Sequence, residues 1–321
     1  MPDVTSFLAR SINERGGWSR VGFAISLLVV AAAGVALFFI LRDTDLIKVF
    51  TAIALKPPNV ILLSATFVAL GYVTLTFYDF FSLCTIGRAH VPYRIAALAS
   101  FTSYSIGHNL GATVFTAGAV RWRIYSPWNL SAVDVARMAF VTGLTFWLGN
   151  IVVLGLGLIL VPDAASAVDQ LPPWANQAGG VLALAIIAGY WLWLLPRPRT
   201  IGRASWAVTL PNARLTLAQI GIGVLDLGAG GLAMYMLLPP EPSIDFITVL
   251  VIYVTATLLG FLSHAPGSLG VFEAAMLIAL PQFAKEELVA SLLIFRCLYF
   301  VLPLVLALCL MAARELRLSV R

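Results

Sequence analysis

Long apolar runs alternate with short polar segments along the whole chain. An apolar α-helix needs about 17 to 25 residues to cross the hydrocarbon core of a bilayer. Six runs reach that length, at 21–41, 60–84, 138–161, 179–196, 215–238 and 288–313. The pattern predicts an all-α polytopic membrane protein in which these six runs are full spans.

Two further apolar stretches are interrupted by polar residues and glycines. The stretch 95–120 contains SIGHNLG at 105–111, and the stretch 246–283 contains SHAPGSLGVFE at 263–273. Apart from the piece 246–262, the parts beside these interruptions are too short to span a bilayer. The pattern is typical of re-entrant helical hairpins, whose exposed backbone groups must lie in protein or line a wet cavity.

Loop charges predict the orientation in the membrane. The positive-inside rule places basic loops in the cytoplasm. The basic segments are 85–94, 121–137, 197–214 and the C-terminus, whereas 162–178 and 239–245 have no Lys or Arg. Both termini are then cytoplasmic, the first hairpin opens to the cytoplasm, and the second opens to the outside. The outer loop 42–59 also carries three cations and fits the rule less well.

The chain divides into two similar halves, 1–161 and 179–313. Each half has the order span, span, hairpin, span, and the halves are inverted relative to each other. The hairpin tips share an H-x-x-G pattern, at His108 to Gly111 and at His264 to Gly267. Inverted repeats with broken helices are how many secondary transporters form a substrate site at mid-membrane.

Composition excludes several classes of protein. With 60% hydrophobic and 11% charged residues and a mean hydropathy of +0.95, the chain cannot bury its apolar surface in one soluble core. The net charge of +5 comes from arginines in short loops, which disfavours nucleic acid as a partner. Cys84, Cys297 and Cys309 lie in apolar runs without C-x-x-C spacing, so we expect buried thiols rather than disulfides or metal ligands. P-loop, H-E-x-x-H and G-x-S-x-G motifs are missing, and we expect neither a metal nor a cofactor.

The second hairpin tip carries the densest set of candidate substrate-binding residues. Glycines permit close backbone approach, proline begins the next half-helix, and the N-terminus of that half-helix suits a phosphate. A histidine adds a proton-dependent positive charge. A nearby glutamate either balances that charge or binds a cationic headgroup. The candidates are His264, Pro266, Gly267, Ser268, Gly270 and Glu273. The alternative is that His264 and Glu273 only hold the hairpin closed by hydrogen bonds.

The first tip offers His108, Asn109 and Gly111, followed by Arg121 and Arg123 at the cytoplasmic rim. These arginines suit anionic headgroups through bidentate contacts. The alternative is that the segment RWRIYSPW is an interfacial anchor, because its aromatic side chains suit the headgroup region.

Two charges fall deep inside predicted spans, Asp226 and Arg296. An arginine at membrane depth needs a partner, and Glu273 or Asp226 is the expected one. Both deep charges are candidate substrate ligands, and a purely structural ion pair is the alternative. Asp79 lies near the end of its span, where a carboxylate reaches water.

The segments SHAPGSLGVFE and SIGHNLGATVFTAGAVRWRIYS resemble the signature regions of the flippase-like membrane domain of lysylphosphatidylglycerol synthases. In that family the second motif is S-H-x-P-G-G-x-G-x-x-E, and this chain has Ser268 in place of the second glycine. The resemblance covers the whole chain and implies an eight-segment inverted repeat in a bacterial inner membrane that moves lipids between leaflets. The synthases add a soluble aminoacyl-transfer domain, and because this sequence ends at Arg321 we expect no synthase activity.

The sequence therefore predicts a flippase for a phospholipid, including an aminoacylated one, or for a polyprenyl-linked glycolipid. Membrane lipids are the expected partners, and a homo-oligomer or a separate lipid-modifying enzyme remains open. One alternative is a membrane enzyme acting on a lipid phosphate held by Pro266, Gly267 and Ser268, although no nearby arginine follows to stabilise its transition state. The other is a regulatory membrane subunit that transports nothing.

Overall fold

Apolar helices form nearly all of the computed structural model, which describes Phe38, Arg42 and residues 44–111, 113–169, 171–196, 199–202 and 207–319. The helices are α1 (Leu46–Leu55), α2 (Pro58–Thr85), α3 (Tyr93–Leu110), α4 (Thr113–Tyr125), α5 (Ala132–Leu160), α6 (Pro162–Asp169), α7 (Pro173–Leu194), α8 (Ala213–Leu237), α9 (Phe246–Ser263), α10 (Val271–Ala279), α11 (Lys285–Arg296) and α12 (Leu302–Ser319). Strands β1 (Thr200–Ile201) and β2 (Val208–Thr209) pair antiparallel, with Thr200 opposite Thr209.

Six of the described helical segments are long and apolar enough to cross a membrane: α2, α5, α7, α8, α9 and the segment Lys285–Arg317 formed by α11 and most of α12. The prediction of an all-α polytopic membrane protein is confirmed. Predicted span 21–41 lies outside the described residues, and α9 takes the sixth place. The sequence pattern assigned α9 to the second hairpin, and it is the longer arm of that hairpin.

Local capping sets the helix ends beyond the apolar runs. Helix α5 begins six residues before the predicted 138 because Ser131 and Asp134 form a capping box, in which each side chain accepts from the other's backbone amide. Asp245 likewise accepts from the Thr248 amide at 2.9 Å and starts α9. Helices α1 and α6 occur in the segments 42–59 and 162–178, which the sequence pattern predicts to be loops. They have only 10 and 8 residues, too few to be recognised as spans.

Helices α2 and α8 form the central pair and run antiparallel. The Ser64 hydroxyl donates to the Ala233 carbonyl at 2.8 Å near one end, and Tyr78 donates to Asp226 at 3.2 Å further along. Helix α5 crosses α8 closely, because a Cβ on Gly149 would lie only 2.7 Å from the Cα of Gly223. Small residues at such crossings let the backbones of membrane helices touch.

The two broken helices enter this core from opposite ends. Helices α3 and α4 form the first hairpin, whose base packs with Leu83 at the C-terminal end of α2. Helices α9 and α10 form the second hairpin, whose base packs with Leu237 at the C-terminal end of α8. Because α2 and α8 are antiparallel, these bases lie at opposite ends of the molecule. Which end faces the cytoplasm remains a prediction, as does the division into domains at 161 and 179.

The three cysteines are exposed, which corrects the expectation of buried thiols. That expectation assumed that every side chain in an apolar run is buried in the protein core. In a membrane protein the outer surface of a span is covered by lipid, so a small apolar side chain is equally stable there.

Candidate functional site

A cavity of about 340 Å³ lies where the two hairpin tips meet. Helices α2, α5, α8 and α9, both hairpin tips and the last span contribute to its lining. The ionisable side chains in the lining are those of Tyr78, Tyr104, His108, Arg121, Asp226, Tyr253, His264 and Tyr299. The site therefore combines two helix breaks with several titratable groups at the depth of the membrane-spanning helices.

The hairpin tips touch through glycines that no other residue replaces easily. Gly111 has a φ of +72°, and a Cβ there would lie 3.2 Å from the Cα of Pro266. Gly267 has a φ of +61°, and its Cβ would lie 3.9 Å from the carbonyl oxygen of Asn109. Both positions need a positive φ that glycine adopts without strain. The H-x-x-G pattern thus marks the contact between the two hairpin tips.

Arg121 of α4 forms a buried ion pair with Asp79 of α2. Its Nε lies 3.0 Å from both carboxylate oxygens, its Nη2 lies 2.7 Å from Oδ1, and the Tyr125 hydroxyl donates to Oδ2 at 2.9 Å. Arg121 and Asp79 are 4% and 0% exposed. The sequence-based expectation that the Asp79 carboxylate reaches water is therefore wrong. The guanidinium also lies 4.8 Å from the centre of the Tyr104 ring. This pair fixes a cation at the cavity wall.

Asp226 of α8 presents a second carboxyl to the cavity. Thr74 and Tyr78 of α2 provide hydroxyls 3.2 Å from its two oxygens, and the residue is buried. Within the described part of the chain, no ion pair includes Asp226. Asp226 therefore differs from Asp79, although both lie on the central helix pair.

Arg296 fastens the second hairpin tip from the side of the last span. It forms an ion pair with Glu273 and donates to the carbonyls of Gly267 at 2.6 Å and Ser268 at 3.3 Å. Glu273 also accepts from the Gly270 amide at 2.8 Å, which caps α10. Of the two partners that the sequence offered for Arg296, the structure selects Glu273.

A π-helical turn at Cys297–Val301 joins α11 to α12 beside the first tip. The Phe300 carbonyl accepts from the Asn109 side-chain amide at 3.1 Å, and the Tyr299 carbonyl accepts from the Tyr72 hydroxyl at 3.0 Å. A π-turn shifts the backbone ladder and leaves carbonyls available to side chains, and such turns are frequent at functional sites. Here the turn connects the last span to α2 and α3.

The mouth of the cavity is apolar and opens on the outer surface of the helices. Val114 and Phe115 of α4 are 64% and 80% exposed, and Trp147 of α5 and Phe261 of α9 are each 40% exposed. Phe146 and Phe261 pack with their ring centres 5.3 Å apart. The cavity thus has several polar side chains within a mostly apolar lining, and a rim suited to contact with lipid chains.

The structure separates the predicted site residues into two groups. The first group lines the cavity and consists of His108, Gly111, Arg121, Asp226, His264 and Ser268. The second group is not part of the lining and consists of Asn109, Arg123, Pro266, Gly267, Gly270, Glu273 and Arg296. In the second group, Arg123 is exposed and forms a bidentate pair with Glu315, at 3.2 and 2.8 Å.

Sequence reasoning missed the hydroxyl and aromatic part of the lining. Tyr78, Tyr104, Tyr253 and Tyr299 lie in apolar runs, where a tyrosine counts as one more hydrophobic residue. A usable signal was present, because a buried phenol needs a hydrogen-bond partner. Several tyrosines at membrane depth therefore indicate a polar interior.

The chain is similar to two curated proteins. It is 31% identical over 238 residues to a Synechocystis protein named Uncharacterized protein slr0712, covering 73% of each chain. It is 28% identical over 294 residues to the Escherichia coli Inner membrane protein YbhN, covering 88% of this chain and 86% of YbhN. No family model matches the sequence.

Proposed function

We propose that this chain, which belongs to the family of membrane proteins that includes slr0712 and YbhN, is a flippase. It moves lipid headgroups across the membrane through the cavity between its hairpin tips. The proposal covers a phospholipid, including an aminoacylated one, and a polyprenyl-linked glycolipid. The similarity of both tip motifs to the lysylphosphatidylglycerol synthase membrane domain supports it. Similarity to the Escherichia coli protein supports placement in a bacterial inner membrane.

The observation that carries the proposal is the amphipathic shape of the cavity. Its interior presents Arg121, Asp226 and His108, whereas its rim presents the exposed rings of Phe115 and Phe261. A lipid has the same division, because its headgroup needs polar contacts and its chains need apolar ones. A headgroup inside the cavity leaves its acyl chains in the bilayer, so the protein need not enclose the whole lipid.

The volume of the cavity agrees with this division. Pockets that enclose a whole small ligand range from about 300 to 1,000 Å³. The cavity, at about 340 Å³, lies at the lower end of that range. It accommodates a headgroup but not two acyl chains.

The charges favour a headgroup that carries both signs. Arg121 is held in place by its ion pair with Asp79, and its guanidinium lines the cavity, where it can donate to a phosphate. Asp226 and the nearby tyrosine rings suit an ammonium group, because a carboxylate and aromatic faces both attract cations. A zwitterionic or aminoacylated phospholipid satisfies both ends of the cavity at once.

The inverted hairpins suggest how the headgroup passes. Each tip closes the path from its own side, and the tips touch at Gly111 and Pro266. Rocking of one half against the other would open one side of this contact at a time, as in transporters built from inverted repeats. The sequence contains no P-loop, so we propose that transport is passive or coupled to an ion gradient.

Leaflet exchange in vesicles tests the proposed function. The purified full chain is reconstituted with labelled phosphatidylethanolamine, phosphatidylglycerol or lysylphosphatidylglycerol, and a membrane-impermeant quencher reports the outer leaflet. We expect faster exchange than in protein-free vesicles and in vesicles holding an unrelated multi-pass protein. No acceleration for any lipid, with folded protein in the vesicles, would refute the proposal. Release of phosphate from the lipid would favour the enzyme alternative instead.

A further inference from the structure

Asp226 carries a buried carboxyl that faces the cavity from the middle of α8. Its hydrogen-bond partners in the described part of the chain are the hydroxyls of Thr74 and Tyr78. An ionised carboxylate without a cation is costly at the centre of a membrane helix, and such groups are paired with a partner or line a cavity. The protein avoids that cost at Asp79 by supplying Arg121, and it offers no such partner here among the described residues.

The hydrogen bonds of Thr74 indicate the protonation state of the Asp226 carboxyl. Thr74 Oγ1 lies 2.6 Å from the Gly71 carbonyl oxygen and 3.2 Å from Asp226 Oδ1. A hydroxyl has a single hydrogen, and the shorter distance assigns it to the Gly71 carbonyl. The Thr74 oxygen is then placed to accept a hydrogen from a protonated Asp226 carboxyl.

The second carboxyl oxygen fits the same state. Tyr78 donates its hydroxyl hydrogen to Oδ2 at 3.2 Å. A protonated carboxylic acid has one O–H donor and one carbonyl acceptor. Thr74 on one side and Tyr78 on the other match these two roles.

The groups around Asp226 provide phenols rather than a charge of opposite sign. Tyr78 of α2 donates to it, and Tyr253 of α9 and Tyr299 of the π-turn line the same cavity. The same cavity also holds Tyr104, His108, Arg121 and His264, and Arg121 is paired with Asp79. Phenol rings attract a cation through their faces and donate hydrogen bonds through their hydroxyls.

We propose that Asp226 is a cation-binding site of the cavity, occupied by a proton in this conformation and by the ammonium group of a lipid headgroup in exchange for that proton. When the ammonium group arrives, the carboxyl O–H bond breaks, the proton passes to water in the cavity, and the carboxylate pairs with the cation. The ammonium half of this statement rests on the proposed lipid transport. The proton half stands without it.

Infrared spectroscopy tests the proton half on the full chain. A protonated carboxylic acid gives a C=O stretching band that an ionised carboxylate lacks. We expect this band in the native protein and its loss in Asp226→Asn, and we expect Asp163→Asn, a change at an exposed carboxyl of α6, to leave it unchanged. Absence of the band in native protein, or its persistence in Asp226→Asn, would overturn the proposal.

A second variant keeps the test informative if Asp226→Asn fails to fold. Tyr78→Phe removes only the hydroxyl that donates to Oδ2, so the C=O band should move to higher frequency. A band that does not move would contradict the assigned hydrogen bonds.

Exchange with a headgroup is tested by adding lipid to the same sample. Phosphatidylethanolamine, which has an ammonium group, should weaken the band, and phosphatidylglycerol, which has none, should not. An equal response to both lipids would overturn the ammonium half. Failure of leaflet exchange with the band intact would instead overturn the proposed function and support the proton site alone.

Discussion

The two hairpins share a motif but use their charged residues differently. In the first hairpin, Arg121 is 4% exposed, pairs with Asp79 and lines the cavity. In the second, Glu273 pairs with Arg296 behind the tip, and neither residue belongs to the lining. One hairpin contributes its charge to the cavity, and the other uses its charge to hold its own backbone.

The difference follows from the length of the two breaks. The first hairpin turns at Gly111, between α3 and α4, and its backbone groups need few extra partners. The second runs from His264 to Gly270 before α10 begins, and His264 and Ser268 both have positive φ values. A long irregular segment at membrane depth must satisfy its carbonyls within the protein. Arg296 does so, which explains why a charge is placed there.

Removing the partner of the cavity arginine should have the largest effect. Asp79→Ala leaves Arg121 buried without its counter-ion, and breaking a buried pair in this way destabilises a protein by about 3 to 5 kcal/mol. Unfolding in mixed detergent micelles measures the change, and Asp163→Ala at an exposed carboxyl is the control. A loss below about 1 kcal/mol would show that the pair does not anchor the first hairpin.

Arg296→Gln should have a smaller effect of the same kind. It removes the pair with Glu273 and two bonds to loop carbonyls, and hydrogen bonds to charged groups contribute about 1.5 to 3 kcal/mol. The side chains of Arg296 and Glu273 are 13% and 15% exposed, so water replaces part of the loss. Unfolding and amide hydrogen exchange at Gly270 report the change. Unchanged stability together with unchanged exchange would contradict the fastening role.

Gly111→Ala should separate the hairpin tips and moderately lower the stability of the folded protein. A non-glycine residue at this φ and ψ costs about 1 to 3 kcal/mol, and its Cβ would press on Pro266 at 3.2 Å. Gly118→Ala on the same hairpin is the matched control, because a Cβ there meets nothing within 4 Å. Equal stability of the two variants would show that the tip contact does not depend on glycine.

Arg123→Ala should have the smallest effect. Arg123 lies two residues after Arg121, but its pair with Glu315 is exposed, and exposed pairs contribute little to stability. We expect an unfolding midpoint unchanged within error. A loss of stability as large as that of Asp79→Ala would mean that burial does not determine how much each arginine contributes to stability.

The fold was largely predictable because spanning a bilayer demands long apolar runs and breaks in them are conspicuous. Spans 60–84 and 215–238 match α2 and α8 within two residues at each end. Short helices such as α1 were not predicted because a 10-residue helix does not reach the length of a span.

The candidate site was predictable only in part. The residues at the breaks were found because histidine and glycine are unusual in apolar runs. The partner of Arg296 was not, because Glu273 and Asp226 are equivalent in sequence and only packing chooses between them. Tyr253 and Tyr299 were missed because a tyrosine in an apolar run reveals its hydroxyl only when its neighbours are known.

Leaflet exchange by a cavity-filling variant tests the central claim most directly. A Cβ on Gly143, in the cavity wall, meets nothing within 4 Å, so Gly143→Leu fills the cavity without straining the helix. Gly189→Leu makes the same change on the exposed surface of α7, where a Cβ also meets nothing within 4 Å. We predict that Gly143→Leu reduces exchange to the protein-free rate and that Gly189→Leu exchanges lipid like the native protein. Equal rates in the two folded variants would contradict passage of the headgroup through this cavity.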